Sequence, residues 1–160
     1  MKNIISLFCF FCLPLSVGLK AQYSLHPMLY AGYTYQNQSF GEVGGRLLFL
    51  KNDDILFRIG AVAAMGETHA RLAIMPKAQL DVLLNFERGV DLYHSWYFLV
   101  GSETTPTYIA PKLGVSVLGL VDITGGYAFN YTGDLLQGKE LKGFNFNLTF
   151  NFPLVILSKK

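Results

Sequence analysis

The stretch GFNFNLTFNFPLVIL, residues 143–157, alternates large apolar side chains with small polar ones. Successive side chains of an extended strand point to opposite faces, so the two kinds of residue separate. One face carries Phe144, Phe146, Leu148, Phe150 and Phe152, and the other carries Gly143, Asn145, Asn147, Thr149 and Asn151. We expect such a strand to stand between an apolar and a polar environment.

The same period of two recurs upstream. Residues 70–86, ARLAIMPKAQLDVLLNF, place Leu72, Ile74, Pro76, Ala78, Leu80, Val82 and Leu84 on one face and Arg71, Ala73, Met75, Lys77, Gln79 and Asp81 on the other. Such runs, with turn-rich segments between them, predict eight strands at about 28–36, 40–50, 55–65, 70–86, 90–101, 107–118, 121–131 and 141–157. No segment requires a helix and no linker divides the chain, so we predict one all-β domain. The fifth strand has large side chains on both faces, which leaves the direction of His94 open.

The N-terminus is typical of a secretory signal peptide. Lys2 precedes the apolar segment 4–15, and the small residue Ala21 ends the predicted leader. The apolar segment is shorter than the ~20 residues that span a bilayer, although an uncleaved anchor or a lipidated Cys12 are alternatives. We predict a signal peptide over residues 1–21 and a barrel domain over 22–160. Both cysteines, Cys9 and Cys12, fall in the leader, so no disulfide or thiol site is expected in the mature chain.

Composition limits the kind of partner. The net charge is +2 and charged residues make up 15% of the chain, against about a quarter in ordinary soluble domains. No basic run exists beyond the terminal Lys159 and Lys160, so we expect no nucleic acid partner. The polar faces are rich in Gly, Asn, Thr and Ser and carry only isolated charges, unlike the solvated face of a soluble sheet.

Two environments fit alternating strands. In a soluble barrel the apolar face turns inward, and a secreted binder of an apolar ligand, as lipocalins are, would be built this way. In an outer-membrane barrel the apolar face meets lipid and the polar face lines the interior. Aromatic residues near the strand ends favour lipid, because they mark membrane–water interfaces. One predicted rim comprises Tyr33, Tyr35, Phe40, Tyr108, Tyr127, Phe129 and Tyr131, and the other comprises Phe49, Phe57, Phe86 and Phe152.

The predicted leader, about 140 following residues, eight alternating strands and a Phe-rich last strand resemble the small OmpA/OmpX-type outer-membrane barrels. The resemblance covers residues 28–157. It implies an eight-stranded antiparallel up-and-down transmembrane β-barrel in a bacterial outer membrane, in contact with outer-membrane lipids and monomeric. It also implies insertion by the barrel-assembly machinery. The chain departs from the pattern where PLVILSKK follows Phe152, and at Pro76 and Pro111, where we expect bulges.

The predicted inner face carries several charges. They are Glu42, Arg46, Arg58, Arg71, Lys77, Asp81, Lys112 and Asp122. An eight-stranded barrel is just wide enough for its own side chains to fill, and buried charges are costly unless paired. We therefore predict an interior network of salt bridges and hydrogen bonds that plugs the barrel. The alternative is a path for a small solute lined by Arg46, Arg58, Lys77 and Lys112.

Catalytic residues are not predicted. His94 and Ser95 are adjacent and would point to opposite faces of a strand, and His69 lies near Glu67 without a local serine. Assembly of a site across loops through Ser39 or Ser102 keeps a lipid-modifying enzyme as an alternative. No metal-ligand cluster or cofactor motif is present in the sequence. The main prediction is a small integral envelope protein with a structural or interaction role.

Overall fold

The structure, a computed structural model, describes residues 24–52, 55–68, 71–86, 96–133, 136 and 138–156. Its strands are β1 Ser24–Gln36, β2 Ser39–Asn52, β3 Ile55–Thr68, β4 Arg71–Asn85, β5 Trp96–Thr104, β6 Tyr108–Val117, β7 Val121–Asn130 and β8 Gly143–Pro153. Each strand pairs antiparallel with the next, and β8 pairs with β1, so the sheet closes on itself. The predicted eight-stranded antiparallel up-and-down barrel is confirmed. Within the described residues, no helix has the length and apolar character needed to cross a membrane.

The strand boundaries differ from the prediction by a few residues in most strands; β1 begins four residues earlier, at Ser24, and β3 extends three residues further, to Thr68. The β5 strand reaches Thr104, so Glu103 belongs to a strand and not to the loop in which the sequence placed it. Residues 87–95, with His94, lie outside the described residues, as does the predicted signal peptide. The last strand ends at Pro153 and a single 3-10 turn follows, Leu154–Ile156.

The bulges expected at the two mid-strand prolines are wrong. Pro76 pairs with Ala63 in an unbroken register, and Pro111 pairs with Ser102 likewise. A bulge needs one extra residue on one strand, whereas a proline removes only a donor. The register shift recorded in the described ladders lies elsewhere, between Leu50 and Asn52.

The barrel is strongly staggered. The ladder partners, followed once round the sheet, are His26, Leu48, Arg58, Asp81, Gly101, Lys112, Gly126, Asn145 and Gln36. The path leaves β1 at His26 and returns to it at Gln36, a stagger of ten residues. With strands ~4.8 Å apart and a rise of ~3.3 Å per residue, this stagger corresponds to a strand tilt of about 40°.

The connections alternate between the two ends of the barrel, which we call the Ser24 end and the Gln36 end. The described turn at the Ser24 end is Leu118–Leu120, where Leu118 and Gly119 both have positive φ, 54° and 67°. Two positive φ values give the hairpin turn whose twist matches that of its strands. At the Gln36 end, Thr105 Oγ1 accepts from the Tyr108 N–H at 3.0 Å and shapes the turn between β5 and β6.

Apolar side chains cover the outer wall. Leu, Ile, Val, Phe, Tyr, Met and Trp side chains that are 38–68% exposed occur on all eight strands. Among the described strand side chains, the exposed charge is that of Glu67, close to the Gln36 end. The wall therefore presents a mostly apolar surface, and most polar side chains of the strands turn inward; Ser102 and Thr104 on β5 are among the exceptions.

Most of the predicted aromatic rims lie on this wall, with two corrections. Phe40 and Tyr108 are 1% and 0% exposed and point inward. Phe40 is two residues from Glu42, so it shares the inner face of its strand by the same period of two. Exposed aromatic residues at the Gln36 end are Tyr33, Tyr35, Tyr127, Phe129, Tyr131 and Phe144, and those at the Ser24 end are Phe57, Phe86, Trp96 and Phe152.

Candidate functional site inside the barrel

The interior is layered along the barrel axis. An apolar cluster at the Gln36 end comprises Phe40, Ala64, Met75, Tyr108, Ala110, Ala128 and Leu141. A second cluster at the Ser24 end comprises Leu56, Leu83 and Tyr97, with Leu48 and Leu50 packed against it. Between them lie eight charged side chains, each at most 3% exposed: Glu42, Arg46, Arg58, Lys77, Asp81, Glu103, Lys112 and Asp122. The charges are thus held between two apolar layers.

Five of these residues form the aspartate cluster, toward the Ser24 end: Arg46, Arg58, Asp81, Lys112 and Asp122. Asp122 Oδ2 lies 2.9 Å from Arg58 Nη2 and 3.0 Å from Arg46 Nη1. Asp81 Oδ2 lies 3.4 Å from Arg46 Nη2 and 3.6 Å from Arg58 Nη2. Lys112 Nζ reaches Asp81 Oδ1 at 3.3 Å. Three cations therefore share two carboxylates, and the cluster carries a formal charge of +1.

Neutral groups complete the coordination of Asp122. Ser116 Oγ donates to Asp122 Oδ1 at 2.6 Å, and Asn151 Nδ2 donates to Oδ2 at 2.8 Å. Arg58 Nη1 donates in addition to the backbone carbonyl of Gly119 at 3.2 Å. Removing one charged side chain from such a network is costly, because each buried partner that remains loses an interaction.

The glutamate cluster lies toward the Gln36 end and comprises Glu42, Lys77 and Glu103. Lys77 Nζ is 2.6 Å from Glu42 Oε1 and 3.1 Å from Glu103 Oε1. The Tyr30 hydroxyl donates to Glu42, and the Tyr108 hydroxyl donates to Glu103 at 2.9 Å. One cation serves two carboxylates here, so this cluster carries a formal charge of −1 and offsets the other one.

The side chains of β8 line one wall of both clusters. Asn145 Nδ2 donates to Gln36 Oε1 at 2.7 Å and to Glu103 Oε1 at 3.0 Å. Asn147 Nδ2 donates to Asn145 Oδ1, and Thr34 donates to Glu42 at 2.7 Å. The asparagines of the final strand thereby supply amide groups to the charged interior.

Seven of the eight predicted network residues lie in these two clusters. They are Glu42, Arg46, Arg58, Lys77, Asp81, Lys112 and Asp122. The side chain of the eighth, Arg71, lies outside the described residues. Glu103 was not among the predicted interior residues because it lies beyond the predicted strand 90–101. The predicted set had five bases, Arg71 among them, against three acids. Within the described interior, four acids face four bases.

The residues predicted to face lipid lie on the outer wall of β8. Phe144, Phe150 and Phe152 are 62%, 43% and 54% exposed. Phe146 and Leu148 are partly exposed on the same face. Alternate residues of this strand, Asn145, Asn147, Thr149 and Asn151, are buried inside the barrel. The strand thus divides its side chains between wall and interior.

A catalytic arrangement is not formed by the described residues. His26 Nε2 lies 3.1 Å from Ser24 Oγ, but the Ser24 hydroxyl donates to the carbonyl of Leu50 at 3.3 Å. The described residues place no carboxylate against His26 to complete a triad with this pair. No group of three or more His, Cys, Asp or Glu side chains in the described ranges is placed to hold a metal ion. His69, His94 and Ser95 lie outside those ranges.

Comparisons of the chain with known protein families, with curated proteins and with solved structures gave no match. The closed eight-stranded antiparallel architecture is compatible with a family of small barrels. The apolar wall, the stagger and the paired interior charges are the features of this barrel that bear on its function.

Proposed function

We propose that the chain is a small integral membrane barrel of a bacterial outer membrane, similar to the OmpA/OmpX type. In this proposal its wall contacts outer-membrane lipids, its interior is plugged by side chains, and its role is structural or interaction-related and not catalytic. A cleaved signal peptide over residues 1–21 and insertion by the barrel-assembly machinery belong to the same proposal, as does a monomeric state. The observation that carries it is the apolar wall around a charged interior.

In water, both the exposed apolar wall and the buried interior charges would be unfavourable. Monomeric soluble proteins rarely expose contiguous apolar patches of more than a few hundred Å², and here apolar side chains are exposed on all eight strands. Charged side chains in a soluble barrel would gain by facing solvent instead of being buried. A secreted binder of apolar ligands would also need an apolar interior, whereas this one holds four acids and four bases.

The dimensions support a bilayer. The outer face of β1 is apolar from Leu25 to Tyr35. At a tilt of about 40° and ~3.3 Å per residue, this length spans ~25 Å along the barrel axis, the usual height of the apolar band in outer-membrane barrels. Exposed aromatic residues lie at both edges of the band, where the two membrane–water interfaces would fall.

The layered interior favours a plug over a solute path. A path for anions lined by Arg46, Arg58, Lys77 and Lys112 would need free cations, but each of these side chains lies within 3.4 Å of a carboxylate. Apolar clusters occupy the interior on both sides of the charges. A solute would have to break ion pairs and cross two apolar layers.

We place the Gln36 end outside the cell. KNDD, ERG and LGL are the shorter set of connectors, so we assign them to the periplasm, and we assign NQS, GETH, SETTP and TGDLLQGKE, at the Gln36 end, to the outside. Gly133 and Gly138, at the Gln36 end, have positive φ values of 71° and 85° and open space where a Cβ would lie. An epitope inserted at either position should be labelled on intact cells. Labelling only after permeabilisation would show that the Gln36 end faces the periplasm.

Fractionation combined with heat modifiability tests the proposal. The native protein should sediment with outer membranes, resist extraction by salt, and migrate differently before and after boiling in detergent. Leu148→Arg should block insertion, because a lipid-facing Arg near the midplane costs ~2–4 kcal/mol, whereas Asn147→Ser should insert normally. A mature chain that stays soluble without detergent would reject the membrane assignment.

A further inference from the structure

A groove of about 430 Å³ crosses the outer wall over β5, β6 and β7. Its lining is almost wholly apolar and includes Val100, Pro111, Leu113, Gly125, Tyr127 and Phe129. It lies where Pro111 and Gly125 bring little side-chain volume to the wall between larger neighbours. The volume falls within the ~300–1,000 Å³ typical of small-ligand sites.

Between Pro111 and Tyr127, two residues that line the groove, a backbone acceptor has lost its ladder donor. The β6–β7 ladder keeps one register throughout but skips two pairs, Ala110 with Ala128 and Pro111 with Tyr127. Both pairs depend on an N–H at position 111, and proline has none. The carbonyl of Tyr127 therefore lacks the donor that β6 would otherwise supply. An unpaired carbonyl is especially costly next to hydrocarbon, so this wall position favours a ligand that brings a donor.

We propose that this groove binds a lipid acyl chain that carries a hydroxyl group. The chain lies along the apolar lining and its hydroxyl donates to the Tyr127 carbonyl. This inference rests on the proposed function, because only in a bilayer does the wall meet acyl chains. Tyr127 and Phe129, with ring centroids 4.9 Å apart, lie at the Gln36 end of the groove and place the site in the leaflet at that end.

A second copy of the barrel fits this groove less well. Two barrel walls are both convex, so a neighbouring barrel would touch the edges of the groove and leave its floor uncovered. A flexible acyl chain with one hydroxyl matches the groove, because it offers apolar contact along its length and one hydrogen-bond donor for the Tyr127 carbonyl. The site would thereby select among lipids by a single hydrogen bond.

The experiment uses the full mature chain in liposomes with two photoactivatable phospholipid probes. The probes share the same acyl chain and diazirine, and one carries a 3-hydroxyl group. Crosslinks of the hydroxylated probe should concentrate on peptides with Val100, Leu113 and Tyr127. The hydroxylated probe should label them about fivefold more than the plain one, the ratio that corresponds to one hydrogen bond of about 1 kcal/mol.

Three variants separate the apolar contact in the groove from the hydrogen bond to the Tyr127 carbonyl. Gly125→Leu should abolish groove labelling by both probes; a Cβ there meets its nearest atom only at 3.8 Å, so the side chain starts without a clash. Pro111→Ala restores a backbone donor and should remove the preference for the hydroxyl while the plain probe still labels. Pro76→Ala is the matched control, since this second mid-strand proline lies outside the groove.

The outcomes distinguish the two proposals. A protein that does not float with liposomes contradicts the membrane function itself. A protein that inserts but is labelled evenly around the wall contradicts the groove alone, as does a preference for the hydroxyl that survives in Pro111→Ala.

Discussion

Arg58 on β3 and Asp122 on β7 meet inside the barrel, with Arg58 Nη2 2.9 Å from Asp122 Oδ2. The two strands are four positions apart in a closed sheet of eight, so this ion pair links opposite sides of the wall. Arg46 on β2 shares the same carboxylate at 3.0 Å. The aspartate cluster therefore ties together strands that do not pair with one another.

Removing the shared carboxylate should destabilise the barrel strongly. Asp122→Ala leaves two buried guanidinium groups without this partner, and breaking a buried pair typically costs ~3–5 kcal/mol. The free energy of unfolding, measured by urea titration in detergent micelles, should fall by that order. Glu67→Ala, which removes an exposed carboxylate from the wall, is the control and should change it by less than ~0.5 kcal/mol. Equal effects of the two variants would mean that the interior charges are not coupled.

Substitutions in the glutamate cluster should differ in how much they lower the thermal stability of the barrel. Lys77→Met leaves Glu42 and Glu103 close together without a cation, whereas Glu103→Gln leaves Lys77 paired with Glu42 at 2.6 Å. Lys77→Met should therefore lower the midpoint of thermal unfolding more than Glu103→Gln. Adding Glu42→Gln and Glu103→Gln to Lys77→Met should recover part of the loss, because the uncompensated charges disappear. The reverse order would show that Lys77 does not hold the two carboxylates together.

The plugged interior makes a prediction about conductance. Glu42→Ala and Asp81→Ala should lower the unfolding temperature, because each removes a buried partner of Lys77 or of the two arginines. Planar bilayers containing the wild-type protein or either variant should show negligible conductance. Steady anion-selective conductance of the wild type, altered by Arg46→Ala, would replace the plug with a channel.

Neighbouring glycines on β7 should differ sharply in tolerance. A Cβ on Gly126 would overlap the carbonyl oxygen of Pro111 in the backbone of β6, whereas a Cβ on Gly125 meets nothing nearer than 3.8 Å. Gly126→Ala should therefore reduce stability by ~1–3 kcal/mol, the usual range for overpacking, and Gly125→Ala should stay close to wild type. Refolding yield into detergent and urea midpoints would measure the difference. Similar values for the two variants would show that β6 and β7 are not packed this closely.

Period-two alternation predicted the strand count, the up-and-down order and the inward direction of charges such as Lys77 and Asp122, because side-chain direction follows directly from backbone geometry. It failed at β5, where Tyr97 and Phe98 are both large, so no face could be chosen from the sequence. The predicted strand also ended at residue 101, which left Glu103 in a loop and gave the predicted inner face five bases against three acids.

The pairing of interior side chains from distant strands could not be predicted from the alternation of residues along each strand. The pairing of Arg58 with Asp122 depends on the stagger of the whole barrel, which is a property of eight registers together. The inward turn of Phe40 was within reach, since it lies two residues from Glu42. Its aromatic character favours the rim, whereas the period of two places it inside.

Accessibility of spin labels along β8 in liposomes tests the central claim most directly. The cysteines of the chain are Cys9 and Cys12, within the predicted signal peptide, so single cysteines can be introduced at residues 144–152 of the mature chain. Labels at 144, 146, 148, 150 and 152 should be accessible to oxygen, which dissolves in lipid, and protected from a water-soluble nickel chelate. Labels at 145, 147, 149 and 151 should be protected from both reagents, if the barrel still assembles with them. High accessibility of the first set to the nickel chelate would show that the apolar wall faces water, and would contradict the membrane barrel.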